Sequence, residues 1–304
     1  MIGETLMRLS HLNTRSFKAL AVCGLAASFA LAGCGGGNST ESATSGSADA
    51  AASGEAGGAS GDVINLTVGA SPSPHAKVLH FIQDNLAAEA GINLEIVEYT
   101  DYHQPNVALN SGDLDANFYQ TPNFLDDQVK EFGYEFDQGE GVHIEPLGIF
   151  SEKIKDLKDF PDGGKIGIIS DVTNQRRALE LLEANGFVKI AEGDEAANIN
   201  SVEKLKNFEF FEAEGAQLVR SLSDVDIAVI NGNFAQEGGL TINGDALVAE
   251  QGKGSPYTNL LVWKKDLSGD KLEGVKKLDE LLHSDEVRTF FEENWSDGTV
   301  LPAF

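Results

Sequence analysis

From Val63 onward the chain alternates short β-branched runs with longer amphipathic ones, and it passes through that alternation twice. Val63–Gly69 reads as a strand, followed by Pro74 and a helix from His75 to about Glu89. Leu94–Tyr99 is a second strand, Asn106–Asn110 part of a helix, Leu114–Phe118 a third strand and Phe124–Phe132 a helix. Val142–Phe150 is a long extended segment that changes character midway. Lys165–Ser170 then restarts the pattern as strand, helix (Arg176–Asn185), strand (Phe208–Glu212), helix and strand (Asp226–Ile230). Strands alternating with helical patterns imply βαβ units and parallel sheets. Thr258–Lys264 and a C-terminal helix close the chain, that helix carrying an apolar stripe of Leu272, Val275, Leu278, Leu281 and Leu282. This order fits an α/β protein of two lobes joined by two chain crossings, near Gly148 and near Gly252. Residues 63–148 with 253–304 make the first lobe and residues 149–252 the second. A cleft between such lobes is where small ligands bind.

What precedes Val63 reads as a leader and a tether. Arg8, Arg15 and Lys18 form a positive start, and Ala19–Ala32 is an apolar run of 14 residues. That is short of the roughly 20 residues a membrane-spanning helix needs. The run ends in Leu31-Ala32-Gly33-Cys34, which resembles a bacterial lipobox, so residues 1–33 are expected to be removed and Cys34 to be acylated. A diacylglyceryl group supplies two chains at about 0.8 kcal/mol per buried methylene, enough for stable anchoring. Residues 34–62 then form a tether. Gly35–Gly61 contains only Gly, Ser, Ala, Thr, Asn, Asp and Glu and would span on the order of 30 Å on average. The only other cysteine, Cys23, lies in the leader, so no disulfide is expected in the mature fold.

The formal charge is −26, and it becomes −28 once Glu4, Arg8, Arg15 and Lys18 leave with the leader. So acidic a surface repels nucleic acid and anionic lipid head groups, and no nucleic-acid partner is expected. Enzymatic and metal motifs are equally thin. Asp113-Leu114-Asp115-Ala116-Asn117 begins like a calcium loop, but Phe118 stands where glycine is needed. The six histidines form no close ligand pair along the sequence, no GxSxG or nucleotide-binding glycine frame is present, and no cysteine is left as a nucleophile. No cofactor, no resident metal and no catalysis is expected.

Several stretches resemble the methionine-binding lipoproteins of ABC importers: Val68-Gly-Ala-Ser-Pro-Ser-Pro-His75-Ala76, Asp101-Tyr102 with Pro105-Asn106, and Gly112-Asp-Leu-Asp115-Ala-Asn117. Asp171 with Thr173-Asn174 and Arg177, Val229-Ile-Asn231, and Ser255-Pro-Tyr257-Thr-Asn259-Leu continue the match over nearly the whole mature chain. The resemblance implies a two-lobed periplasmic-binding-protein fold of type II. It also implies a non-enzymatic, lipid-anchored protein on the extracytoplasmic face of the cell membrane. Such a protein would capture L-methionine and deliver it to an ABC permease whose partner subunit hydrolyses ATP.

The same resemblance assigns the pocket. Arg177 would clamp a carboxylate with its guanidinium fork, while Arg176 faces solvent. Asn231 and Asn259 would hold the amino-acid head group, each offering donor and acceptor together. Tyr102 and Tyr119 would wall the side-chain slot, where a thioether gains about 0.3–1.5 kcal/mol against a ring. Thr121 and Phe124 stand where many family members carry His and Tyr, which leaves the slot apolar and alters two hydrogen-bonding groups. Methionine-containing dipeptides, D-methionine and other amino acids therefore stay open as ligands. An enzyme or a surface adhesin on the same scaffold is the alternative of another class.

Overall fold

The computed structural model describes residues 63–304; the leader, Cys34 and the tether lie outside the described residues. The first pass of the chain runs β1 (Ile64–Ala70), a helical turn at Pro72–Ala76, α1 (Lys77–Asn85), α2 (Ala87–Ala90), β2 (Ile92–Glu98), α3 (Gln104–Ser111), β3 (Ala116–Gln120), α4 (Pro122–Phe132) and β4 (Phe136–Ile144). The second runs β5 (Gly148–Phe150), β6 (Gly164–Ile169), α5 (Val172–Ala184), β7 (Val188–Lys189), β8 (Glu203–Lys204), β9 (Phe208–Ala213), α6 (Gly215–Arg220), β10 (Ile227–Ile230), α7 (Gly232–Glu237), α8 (Ile242–Asp245) and β11 (Ala246–Ala249). The chain closes with β12 (Thr258–Lys264), α9 (Gly269–Leu282), α10 (Asp285–Asn294) and β13 (Leu301–Pro302).

Two main sheets result. One has the order β13-β4-β12-β3-β1-β2 and the other β11-β5-β10-β6-β9. The long extended segment changes character because it is shared: β4 belongs to the first sheet and β5 to the second, with Glu145, Pro146 and Leu147 between them. The chain returns between β11 and β12. We call each sheet with its helices a lobe.

The expectation of parallel sheets needs a correction. Each sheet is parallel only on one side, β2-β1-β3 in one lobe and β9-β6-β10 in the other. The strands next to the crossings pair antiparallel: β12 with β3 and β4, β5 with β10 and β11. Parallel neighbours need a long crossover within one lobe, whereas these strands arrive from the opposite lobe and run against their neighbours. The first helix also starts later than expected, at Lys77 after a separate turn, and the C-terminal helix is two, α9 and α10.

The apolar periodicity finds its partners in separate cores. In the first lobe Val78, Leu79 and Ile82 of α1 and Val275, Leu278 and Leu282 of α9 pack on Leu66, Val68 and Phe118 of the sheet. In the second lobe one face of the sheet buries Ile166, Ile168 and Ile227 against Leu179 and Leu182 of α5, and the other buries Ala228 and Ile230 against Leu218 and Phe234. Fully burying one such Leu, Ile or Phe side chain contributes about 1.5–3 kcal/mol, so each lobe has the means to hold its sheet rigid. Local signals fix the helix ends that matter for the cleft. Pro122 opens α4, where its missing N–H costs nothing, and Gly133 ends it at φ 71°, a left-handed conformation that favours glycine. Asp171 caps α5 by accepting a hydrogen bond from Asn174 N at 2.8 Å.

A candidate ligand site between the lobes

The parallel strands of both lobes point their carboxyl ends at the cleft, the place where open α/β sheets bind ligands. Tyr102 follows β2, Tyr119 and Gln120 end β3, Thr121 and Phe124 begin α4, Asn174 and Arg177 lie on α5 after β6, and Asn231 follows β10. These residues, with Glu145, Gly232, Asn233 and Asn259, line one cavity with about 370 Å³ of space between its atoms, part of it open to solvent. All seven residues singled out from the sequence (Tyr102, Tyr119, Thr121, Phe124, Arg177, Asn231 and Asn259) are brought together in its wall.

One end of the cavity is aromatic. The Tyr102 ring lies 5.9 Å from that of Tyr119 and 5.7 Å from that of Phe124, and 4.8 Å from Phe234 of the opposite lobe. Tyr119 Oη donates to the Tyr102 carbonyl at 3.0 Å, and Tyr102 Oη donates to Asn233 Oδ1 at 2.6 Å. Burial pushes both phenols well above their ordinary range, so both remain donors. Thr121 occupies the N-cap of α4, yet its side chain makes no capping bond, which leaves the hydroxyl to the cavity.

The other end is polar and tightly organised. Neighbouring residues on a helix point about 100° apart, so only one of Arg176 and Arg177 can face the cleft. Arg177 does. Its Nε lies 3.0 and 3.1 Å from the two Glu250 oxygens, and its Nη2 donates to Glu250 Oε2 at 2.6 Å and to the Glu145 carbonyl at 2.8 Å. The guanidinium stacks on Tyr257 at 4.3 Å. One edge of the fork is therefore occupied within the protein, and Nη1 is the end with no hydrogen bond among the described residues. Arg176 turns away to Glu180, at 3.1 Å, and to the Asp194 carbonyl. Asn231 Nδ2 donates to Asn174 Oδ1 at 2.8 Å, while its own Oδ1 is buried without a partner, as is Asn233 Nδ2.

Glu145 is foremost among the residues that sequence reasoning missed, with Asn233 and Glu250. It sits in the crossing after β4, 5% exposed, and its Oε1 lies 2.8 Å from His143 Nε2 and 3.3 Å from His75 Nε2. Its Oε2 is buried with no partner. Burial pushes the Glu145 carboxyl up to about 7 against the pull of His75 and Arg177, and pushes His75 down to about 4 and His143 down to about 3. The signal was faint but present: His143 and Glu145 are two apart on an extended segment and so share a face. His75 joins them only through the fold. Sequence spacing showed no histidine pair, whereas the structure puts His75, His143 and Glu145 within 4.8 Å of one another. The set is better described as hydrogen-bonded than as metal-ligating. Both imidazoles address the same carboxylate oxygen, and neither Nδ1 has the second partner that metal-bound histidines normally carry.

Two sheet-built lobes with a lined cavity at their crossing define a two-lobed solute-binding protein. Comparison with known proteins gives the family. The NlpA lipoprotein family profile matches residues 66–304. The D-methionine-binding lipoprotein MetQ of Escherichia coli is 35% identical over 243 residues, covering 79% of this chain and 89% of that one. A lipoprotein structure from Actinomyces odontolyticus superposes with a TM-score of 0.78 at 64% identity, covering 80% of this chain and all of that one (100%). A nutrient-binding protein from Burkholderia cenocepacia, solved bound to methionine, superposes with a TM-score of 0.74 at 38% identity, covering 79% of this chain and 100% of the other. The chain belongs to the NlpA lipoprotein family. Its relatives named here are binding proteins and lipoproteins. Among the described residues no helix is long and apolar enough to cross a membrane.

Proposed function

We propose that this protein is the solute-binding subunit of an ABC importer, lipid-anchored through Cys34 on the extracytoplasmic face of the membrane, and that it closes on L-methionine. The observation that carries the reading is the two-ended cavity. Arg177, Asn231 and Asn259 stand at a polar end and Tyr102, Tyr119 and Phe124 at an aromatic end, with Thr121 beside them. An amino acid with an unbranched apolar side chain matches both ends at once. Burying a methionine side chain there contributes about 1.5–3 kcal/mol and sulfur–ring contacts about 0.3–1.5 kcal/mol more. Transport would be completed by a membrane permease and its ATPase, and no catalysis by this chain is invoked.

A larger ligand is the second reading, and a specific feature favours it. A neighbouring space, with about 660 Å³ between its atoms, shares Tyr102 and Phe124 with the first cavity and is lined also by Asp171, Glu214 and Phe234. A methionine-containing dipeptide could extend into it. The deciding experiment is a calorimetric titration of the purified protein with L-methionine, D-methionine, other free amino acids and methionine dipeptides, backed by mass spectrometry of whatever co-purifies. A ligand at 100 times its Kd should raise folding stability by about 2.7 kcal/mol. A melting temperature that ignores the whole panel would favour the adhesin alternative. Cys34→Ala should release the protein from membranes without changing that titration.

A further inference from the structure

Arg177 is held from two directions, and the two holds belong to different parts of the molecule. Along one edge its Nε and Nη2 meet Glu250, just after β11, and Nη2 also reaches the Glu145 carbonyl. Glu250 is itself tied to the first crossing: its Oε2 accepts from Leu147 N and its own N–H donates to the Leu147 carbonyl, both at 2.9 Å. Leu147 leads into β5, so this edge contact stays with the lobe that carries α5. On its face the guanidinium lies 4.3 Å from the Tyr257 ring. Tyr257 leads into β12, a strand of the other sheet, and it stands beyond Gly252 and Gly254, the latter at φ 80° in the left-handed region that favours glycine. Hydrogen bonds along one edge leave a planar group free to tilt about that edge. A ring against its face removes that freedom.

The local sequence aims the ring. Pro256 restricts the backbone before it, Tyr257 N donates to Ser255 Oγ at 3.2 Å, and Tyr257 Oη donates to Glu180 Oε2 at 3.1 Å. Glu180 is three residues beyond Arg177 on α5 and so its neighbour on the helix surface. Burial, with Glu180 beside it, pushes the phenol up to about 12, so it stays a donor. One turn of α5 therefore grips the tyrosine at both ends, Glu180 at the hydroxyl and Arg177 on the face. Asn259, two residues further on, lines the ligand cavity, whereas Tyr257 lines the open groove behind the arginine with Glu180, Glu250 and Lys253.

We infer that Tyr257 is a positioning residue for the ligand's carboxylate: standing behind Arg177 and outside the cavity, its ring fixes the tilt at which the guanidinium meets that group. This rests on the amino-acid reading above, in which Arg177 meets the carboxylate, and adds the residue that sets how strictly a carboxylate is required. Tyr257 acts on the ligand through Arg177 alone, so its loss is felt by ligands that carry a carboxylate and not by those that lack one.

The test is a set of matched calorimetric titrations of the full-length protein with L-methionine and L-methioninol, in which a hydroxymethyl group replaces the carboxylate and the amine is kept. Leucine with leucinol and phenylalanine with phenylalaninol serve as further pairs. The parent should prefer the acid by at least about tenfold, the scale of a lost charge-assisted contact. Tyr257→Leu should cut that preference about fivefold, by weakening the acid and leaving the alcohol within about twofold, as expected for loss of a partly desolvated contact between a cation and a ring. Tyr257→Phe keeps the ring on the guanidinium and should keep most of the preference. A merely structural role would weaken acid and alcohol by the same factor. Melting curves show which variants fold. Should Tyr257→Leu not fold, Tyr257→Gln, of similar reach and without a ring, carries the decision. An unchanged acid-to-alcohol ratio in the ringless variant, or a Tyr257→Phe that loses as much of it, would overturn the inference and leave the methionine reading intact. A parent that binds acid and alcohol equally would overturn the inference together with the carboxylate role of Arg177. A parent that ignores methionine but shows the predicted ratios with another pair would overturn the methionine reading and keep the inference.

Discussion

Tyr102 Oη donates to Asn233 Oδ1 at 2.6 Å, and this bond runs from the loop after β2 in one lobe to α7 in the other. It ties the aromatic wall of the cavity to closure of the cleft. Further cross-lobe bonds lie nearby: Thr173 Oγ1 to Asp127, Ser73 Oγ to Gln236 at 3.0 Å and Trp295 Nε1 to Gln236 at 2.8 Å. Of these four, the Tyr102 bond alone has a residue of the cavity wall at both ends. A neutral hydrogen bond is worth about 0.5–1.5 kcal/mol net, so Tyr102→Phe should weaken ligand binding about two- to tenfold with the ring still in place. Small-angle scattering should show a larger radius for the unliganded variant than for the unliganded parent. Identical radii and affinities would mean that this bond does not help to hold the lobes together.

The adjacent arginines should behave very differently. Removing Arg177 strands Glu250, whose side chain is 17% exposed, and frees the Glu145 carbonyl. Breaking a buried pair from one side costs about 3–5 kcal/mol, and the partial exposure of Glu250 argues for the lower end. Arg177→Ala should therefore lower the melting temperature and also weaken ligand binding by well over about tenfold. Arg176→Ala removes a partly exposed pair with Glu180 and should change stability by no more than about 1 kcal/mol, with binding unchanged. Calorimetry giving the reverse order would show that the wrong arginine has been assigned to the ligand.

Binding should also depend on pH, with a definite sign. Burial holds the carboxyl of Glu145 up to about 7, and the ammonium of an amino-acid ligand seated on it would pull that value down. The complex thus prefers the ionised form. Affinity is complete above about pH 7 and falls as the pH drops below it, by up to about tenfold per pH unit until the value in the complex is reached. The groups around it are His75 and His143, pushed down to about 4 and about 3 and so neutral over this range, Arg177, Tyr102 and Glu237. Glu237 is itself pushed up to about 7 and Asp171 to about 6, both mainly by burial, so each needs a control. Glu145→Gln should flatten the profile, while Glu237→Gln and Asp171→Asn should keep its slope. A slope that survives in Glu145→Gln and vanishes in Glu237→Gln would transfer the effect to Glu237.

How much of this could be read from the sequence depended on whether the signal was local. The restart at Lys165 and the strand Thr258–Lys264 were legible because periodicity carries them, and seven residues of the cavity wall because short motifs carry the family resemblance. The first half of β4, Phe-Asp-Gln-Gly-Glu-Gly, was not: it has no apolar alternation and is a strand only because β12 pairs with it. Glu145 was hidden for a different reason. Among 48 acidic residues one carboxylate looks like any other until the fold buries it against two histidines. Glu250, which occupies one edge of the Arg177 fork, lies far along the chain and was equally invisible.

Thr121 and Phe124 should set how selective the cavity is. Phe124 is 3% exposed and meets Tyr102 and Tyr119 edge-on, at 5.7 and 6.1 Å, so it completes the aromatic wall without offering a donor. Thr121 carries a short hydroxyl that the helix does not use as a cap. Behind Tyr102 and Phe124 lies the second space. A wall with one short polar group and room beyond it constrains the far end of a ligand weakly. A lost donor costs about 0.5–1.5 kcal/mol toward a neutral partner, equivalent to about two- to tenfold in affinity. L-methionine should therefore bind with a narrow margin over close analogues and short methionine peptides. The double change Thr121→His with Phe124→Tyr adds a ring donor and a phenol at that wall and should widen the margin for free L-methionine. The check is a competition series in which each analogue displaces labelled methionine from the parent and from the double variant. If the parent already rejects every analogue by about a hundredfold or more, the two residues do not limit selectivity. If instead a peptide displaces methionine from the parent better than methionine itself, the second space is part of the binding site and the natural ligand is the longer one.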